Sequence, residues 1–145
     1  VQDIARSVRA EGFSIAQLSA SDGAEDDQLG RAVAVSDSTV VVGAGLDDDN
    51  GAESGSVYVF EEPSGGWSGP LTEAAKLVPS VPATRFGEFT LAVDGDTVVV
   101  GAWATVFVFT RPAAGWTGTL AEDAVLKASD AMTEDSFGRY SLALS

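Results

Sequence analysis

The chain has 145 residues, with 22 acidic against 8 basic side chains, a formal net charge of −14 at pH 7, and neither histidine nor cysteine. That balance excludes nucleic acid and anionic lipid as partners, since both are bound by clustered Lys and Arg, and the missing cysteine excludes disulfides, thiolate metal sites and thiol catalysis. Because 45% of the residues are hydrophobic and the acids fall between apolar runs, the charge belongs to the surface of a chain long enough to bury a core.

Residues 1–15 follow no clear pattern. Ile4 and Val8 have helical spacing whereas Phe13 and Ile15 alternate like a strand, so the segment reads as a linker or the remnant of a preceding unit. Starting at Val1 with no methionine and no signal-peptide pattern, the chain is expected to be a processed form or part of a longer one.

From Ala16 the chain repeats itself. Ala16-Gln17-Leu18-Ser19-Ala20-Ser21-Asp22 returns as Ala75-Lys76-Leu77-Val78-Pro79-Ser80 and as Ala124-Val125-Leu126-Lys127-Ala128-Ser129-Asp130. Thr39 to Ala44 returns as Thr97 to Ala102, Val57 to Phe60 as Val106 to Phe109, and Pro63 to Leu71 as Pro112 to Leu120. Four blocks recurring in one order define a repeat architecture. The units run over 16–76 and 77–125, with a third opening at 126–145. Within unit one the Val-rich segments predict strands over Arg31–Val35, Thr39–Ala44, Ser56–Glu61 and Ala74–Val78. Ser36-Asp37-Ser38 and Asp94-Gly95-Asp96 predict hairpin turns. The run Val40-Val41-Val42 shows no alternation, which predicts a strand covered on both faces. Stacked four-stranded sheets with such a period predict an all-β fold of antiparallel β-propeller blades, about two and a half of them here. Phe137 to Leu144 is expected to be the first strand of the third unit. The longest apolar run, Val98 to Phe109, is about half a membrane span and is broken by Gly101 and Thr105, which argues against insertion in a bilayer.

The units differ in one loop. Unit one carries Gly45 to Gly55, including Asp47-Asp48-Asp49-Asn50, where unit two has only Trp103-Ala104. A connection that varies this much is expected at the surface. Its oxygen-rich side chains are a candidate calcium site, although they lack the alternate spacing of a calcium loop, and a solvated hairpin tip is the competing reading. Calcium is not expected to be essential, and no other cofactor is implied. Trp67 and Trp116 recur in Gly-rich hairpins, where they either pack or stack on a sugar. Trp103 has no counterpart in unit one and is a candidate contact residue. No serine has a histidine to activate it, so no catalytic residue is assigned.

The paired elements resemble the FG-GAP repeat, the blade of the integrin α-subunit propeller. Phe86-Gly87 and Phe137-Gly138, with Leu29-Gly30 in unit one, match its first element. Gly43-Ala44-Gly45 and Gly101-Ala102-Trp103 match its second, with the proline lost in both copies. The calcium loop of the family lies between those elements, where this chain has only short turns, so that site does not carry over. The resemblance implies a non-enzymatic structural or protein-interaction module at a cell surface, outside the cell or in a lumen, completed by a protein partner or by self-association. A carbohydrate-binding propeller using the tryptophan loops is the alternative.

Overall fold

The computed structural model describes residues 14–130 and 136–145. The described residues form eleven strands and no helix: β1 (Ala16–Ser19), β2 (Leu29–Ser36), β3 (Thr39–Ala44), β4 (Ser56–Glu61), β5 (Gly69–Thr72), β6 (Ala75–Leu77), β7 (Leu91–Asp94), β8 (Thr97–Ala102), β9 (Thr105–Thr110), β10 (Gly118–Leu120) and β11 (Ala124–Leu126). Two antiparallel blades result. The first runs β2-β3-β4-β6, and the second runs β7-β8-β9-β11. The expected four strands of unit one are all present. Both expected turns are two-residue connections that need positive φ, supplied by Asp37 (48°) and Gly95 (51°).

Sheet and sequence repeat are offset by one strand. The block Ala16–Ser19, which opens unit one in the sequence, does not join blade one but pairs in parallel with β5. Likewise β10, from the tryptophan hairpin of unit two, adds in parallel to β6 of blade one. Each tryptophan hairpin thus reaches back across to the strand that precedes its own blade, β5 to β1 and β10 to β6. The amino-acid sequence of these short segments does not by itself predict strands.

The recurring Phe-Gly and Gly-Ala dipeptides meet between blades. Phe86 is fully buried, its ring 5.2 Å from that of Phe107 at 84° and 5.8 Å from that of Phe109 at 63°. It closes a core built from Val41, Val57, Val59 and Leu77 of blade one and Val98, Val100 and Trp116 of blade two. Beside it, Gly87 takes φ 75°, and its backbone lies against Gly43 so closely that a Cβ on Gly43 would collide with the Gly87 carbonyl oxygen. Gly138, also at 75°, stands in the same relation to Gly101. These glycines are required because main chain touches main chain there, which leaves no room for a side chain. A second cluster, Val42, Ala44, Tyr58 and Phe60, covers the opposite face of blade one under Leu18, Ala20 and Trp67. The apolar run of β3 is therefore sandwiched, as its lack of alternation predicts.

One expectation fails. Phe137 to Leu144 forms no strand. An inner strand of a blade is held by the second strand of its own sheet, as β7 is by β8, and the segment has no such neighbour among the described residues. Glu134 and Asp135, which repeat the acid-rich Glu25-Asp26-Asp27, and nearly all of residues 1–15 lie outside the described residues.

Candidate functional site

The inserted loop of unit one is not a free hairpin tip. Asp48, Asp49 and Asn50 are exposed, but Asp47 is 2% exposed and Gly45, Ser54 and Gly55 are buried. The loop leans on the start of unit two: the Arg85 N–H donates to the Glu53 carbonyl at 2.8 Å and the Phe86 N–H to that of Ser54 at 3.1 Å. Its variable length reflects an exchange of partners and not an unconstrained surface.

Inside the loop the carboxylates converge on an ammonium. Lys76 Nζ, on β6, lies 2.7 Å from Asp22 Oδ2, 2.7 Å from Asp49 Oδ2 and 3.0 Å from Asp47 Oδ2. Three donors thus meet three acceptors. The Tyr58 hydroxyl lies 2.7 Å from Asp47 Oδ2 and 2.9 Å from Asp22 Oδ1, and donates its single proton to one of them at a time. Asp47 Oδ1 also accepts from the Asp49 N–H at 3.0 Å, which shapes the turn. Burial alone would raise the Asp22 and Asp47 pKa values, but the hydrogen bonds from Lys76 and Tyr58 outweigh it and hold both below the ordinary range. For Lys76 burial works downward and is overcome by the three carboxylates, so its pKa is raised. The Tyr58 pKa is raised by burial and by the neighbouring Asp47.

Of the four candidate metal residues, then, Asp47 and Asp49 share an internal cation, whereas Asp48 and Asn50 sit in the exposed turn. No group of three or more potential metal-ligating acids was found among the described residues. Lys76, Tyr58 and Asp22 were missed as members of the cluster. The sequence carries a signal that could have found them. Where unit two drops the loop it also has Val125 for Lys76 and Phe107 for Tyr58.

The tryptophans divide. Trp116 is 3% exposed within the core between blades, and Trp67 is half-buried against the second cluster. Trp103 is 37% exposed, in the two-residue turn between β8 and β9. The Arg139 guanidinium stacks on it at 4.3 Å, and on Phe89 at 4.6 Å and Tyr140 at 5.2 Å. Next to this group a cleft of about 370 Å³ runs along the inner strands, lined by Arg31, Phe89, Leu91, Tyr140 and Leu142 among others. Arg31, the charged side chain among the described residues that line this cleft, pairs with the buried carboxylate of Glu88 at 2.7 Å.

The clearest asymmetry lies on the far side of blade two. Leu77 of blade one is 0% exposed because blade two covers it, whereas Leu126, its repeat equivalent, is 47% exposed. Ala75 and Ala124 differ in the same sense.

Residues 13–60 match the family described as FG-GAP repeat, a stretch that takes in β1 to β4. No curated protein and no solved structure gives a significant match. The Gly43-Ala44 element and the strands β2, β3 and β4 agree with this match, so residues 13–60 are similar to an FG-GAP repeat.

Proposed function

We propose that the protein is a non-enzymatic structural or protein-interaction module of FG-GAP propeller blades, working at a cell surface, outside the cell or in a lumen. The observation that carries this reading is the open face of blade two. A side chain buried at one blade interface, Leu77, has an exposed twin in Leu126, and faces of that kind on soluble proteins mark interaction sites. The acidic surface suits a cation-rich medium and does not suit nucleic acid. Binding of a hydrophobic dye tests the reading. The chain should bind it, and Leu126→Glu should reduce binding severalfold while leaving the β-rich circular dichroism unchanged. A dye-silent monomer at all concentrations would overturn the proposal.

A glycan-binding reading rests on Trp103. Its ring is partly open beside Tyr140, which is 74% exposed, and aromatic faces of that kind stack on sugars. Trp116 is too buried to take part. A glycan array with Trp103→Ala as control separates the two readings: a hit that disappears in the variant favours the second.

A further inference from the structure

Each tryptophan hairpin ends in Gly-x-Leu-x-Glu: Gly69-Pro70-Leu71-Thr72-Glu73 and Gly118-Thr119-Leu120-Ala121-Glu122. Each seats on the Ala-x-Leu-x-x-Ser segment that precedes its own blade. In the first case Ala16 faces Gly69 and Leu18 faces Leu71, in parallel. In the second, Ala75 faces Gly118 and Leu77 faces Leu120. A clamp beyond the strand closes both. Glu73 accepts the Ser21 hydroxyl at 2.6 Å and the Ser21 N–H at 2.9 Å. Glu122 accepts the Ser80 hydroxyl at 2.6 Å and the Ser80 N–H at 2.8 Å. Two independent copies of one geometry, separated by a whole unit, define a recognition rule: a parallel strand for affinity, a leucine against a leucine, and a carboxylate on a serine for register.

The acceptor sequence occurs a third time, as Ala124-Val125-Leu126-Lys127-Ala128-Ser129. Among the described residues β11 pairs with β9 on one edge only and is the terminal strand of its sheet. All three residues of β11 are exposed, as is Ser129, whereas all three of β6 are buried. An open edge with unpaired backbone groups takes a strand readily.

We propose that the outer edge of β11 is a strand-acceptor site, which binds in parallel the Gly-x-Leu-x-Glu segment of a further FG-GAP unit and fixes it through Ser129. The proposal rests on the interaction-module reading and names the partner for its open face. A second copy of this chain is a poorer occupant, because both of its Gly-x-Leu-x-Glu segments are already seated, on its own β1 and β6.

The test is an NMR titration of the 145-residue chain with the peptide Gly-Trp-Thr-Gly-Thr-Leu-Ala-Glu, the sequence of residues 115–122. Amide shifts should concentrate between Ala124 and Ser129. Replacing the peptide Glu by Gln, or Ser129 by Ala in the protein, should weaken binding about tenfold, because hydrogen bonds to an ionised group are the strong ones. Shifts at β1 or β6 instead, or equal binding by a scrambled peptide, would overturn the proposal. So would dimerisation that protects the same amides without peptide, since the occupant would then be a second copy. If the peptide fails while dye binding still depends on Leu126, the interaction-module reading stands and the strand-acceptor site falls.

Discussion

At the scale of single residues, Lys76 decides how the acidic loop behaves. A buried ammonium among three aspartates is costly to remove, since the carboxylates then lack a counter-charge. Lys76→Met should destabilise the fold by about 3 kcal/mol, the lower end for breaking a buried pair because Asp22 and Asp49 retain solvent contact. The same geometry predicts the response to calcium. Thermal melts of the native chain in chelator and in millimolar calcium should agree within a few degrees, the ammonium already standing among the carboxylates. The variant should show the larger shift of the two, and an equal response would disconnect Lys76 from cation binding. Ala104 offers the opposite sign. It occupies the turn between β8 and β9 at φ 56°, a conformation that costs a non-glycine residue about 1 kcal/mol. Ala104→Gly should raise the urea midpoint, and a fall would show that the Ala104 methyl group contributes packing worth more than the strain.

At the scale of elements, the loop, β4 and β6 exchange as a set. Unit one has the acidic loop, Tyr58 and Lys76 together, and unit two has the short turn, Phe107 and Val125 together. A partial exchange leaves an unpaired polar group in a buried place, which is worse than either full state. Replacing Gly45 to Gly55 by Trp-Ala alone should therefore destabilise the chain. It would remove Asp47 and Asp49 from Lys76 and strip the start of unit two of its backbone partners. Adding Lys76→Val and Tyr58→Phe should recover part of that loss in thermal melts, and no recovery would show that the loop acts only through Arg85 and Phe86. Acid acts on the same set. Asp22, Asp47 and Glu122 titrate below their ordinary values, the last because the Ser80 hydroxyl and N–H outweigh burial. Groups depressed in the folded state contribute stability above the unfolded value of about 4 and lose it as pH falls through the folded one. The urea midpoint should decline below about pH 4, and less steeply in Asp47→Asn.

The blades were legible in the sequence because their signal is local. Strand runs, two-residue turns and repeat order each sit within a few residues, and β2, β3, β4 and β6 fall where the valines and turns place them. The parallel strands β5 and β10 were not legible. Three or four residues such as Gly118-Thr119-Leu120 have no alternation of their own, and only a partner more than 40 residues away makes them strands. The candidate cluster was half legible for a similar reason. The aspartates adjoin one another in sequence, but Lys76 comes from β6 and Asp22 from the turn after β1. Its membership is written only in the comparison between units.

At the scale of the whole molecule, stability should depend on the number of blade interfaces, as in other stacked repeats, where each unit gains from its neighbours. Among the described residues one full interface is formed, with Phe86, Phe107, Phe109, Trp116 and Leu77 all buried within it. Large side chains buried in this way each contribute about 1.5–3 kcal/mol before the cost of ordering the chain. A chain in which the segment 78–126 is repeated directly after Leu126 would supply blade two with a complete neighbour. The new unit brings its own Phe-Gly element to meet Gly101 and its own Gly-x-Leu-x-Glu strand to meet β11. The extended chain should melt about 5 °C or more above the original, since each kcal/mol moves the midpoint of a domain of this size by about 2–4 °C. Leu126→Glu should cancel most of that gain in the extended chain while costing the original little, because Leu126 is half exposed there. If the extra unit left the melting temperature unchanged, the blades would be energetically independent, and the exposed face of blade two would be an outer surface in its own right.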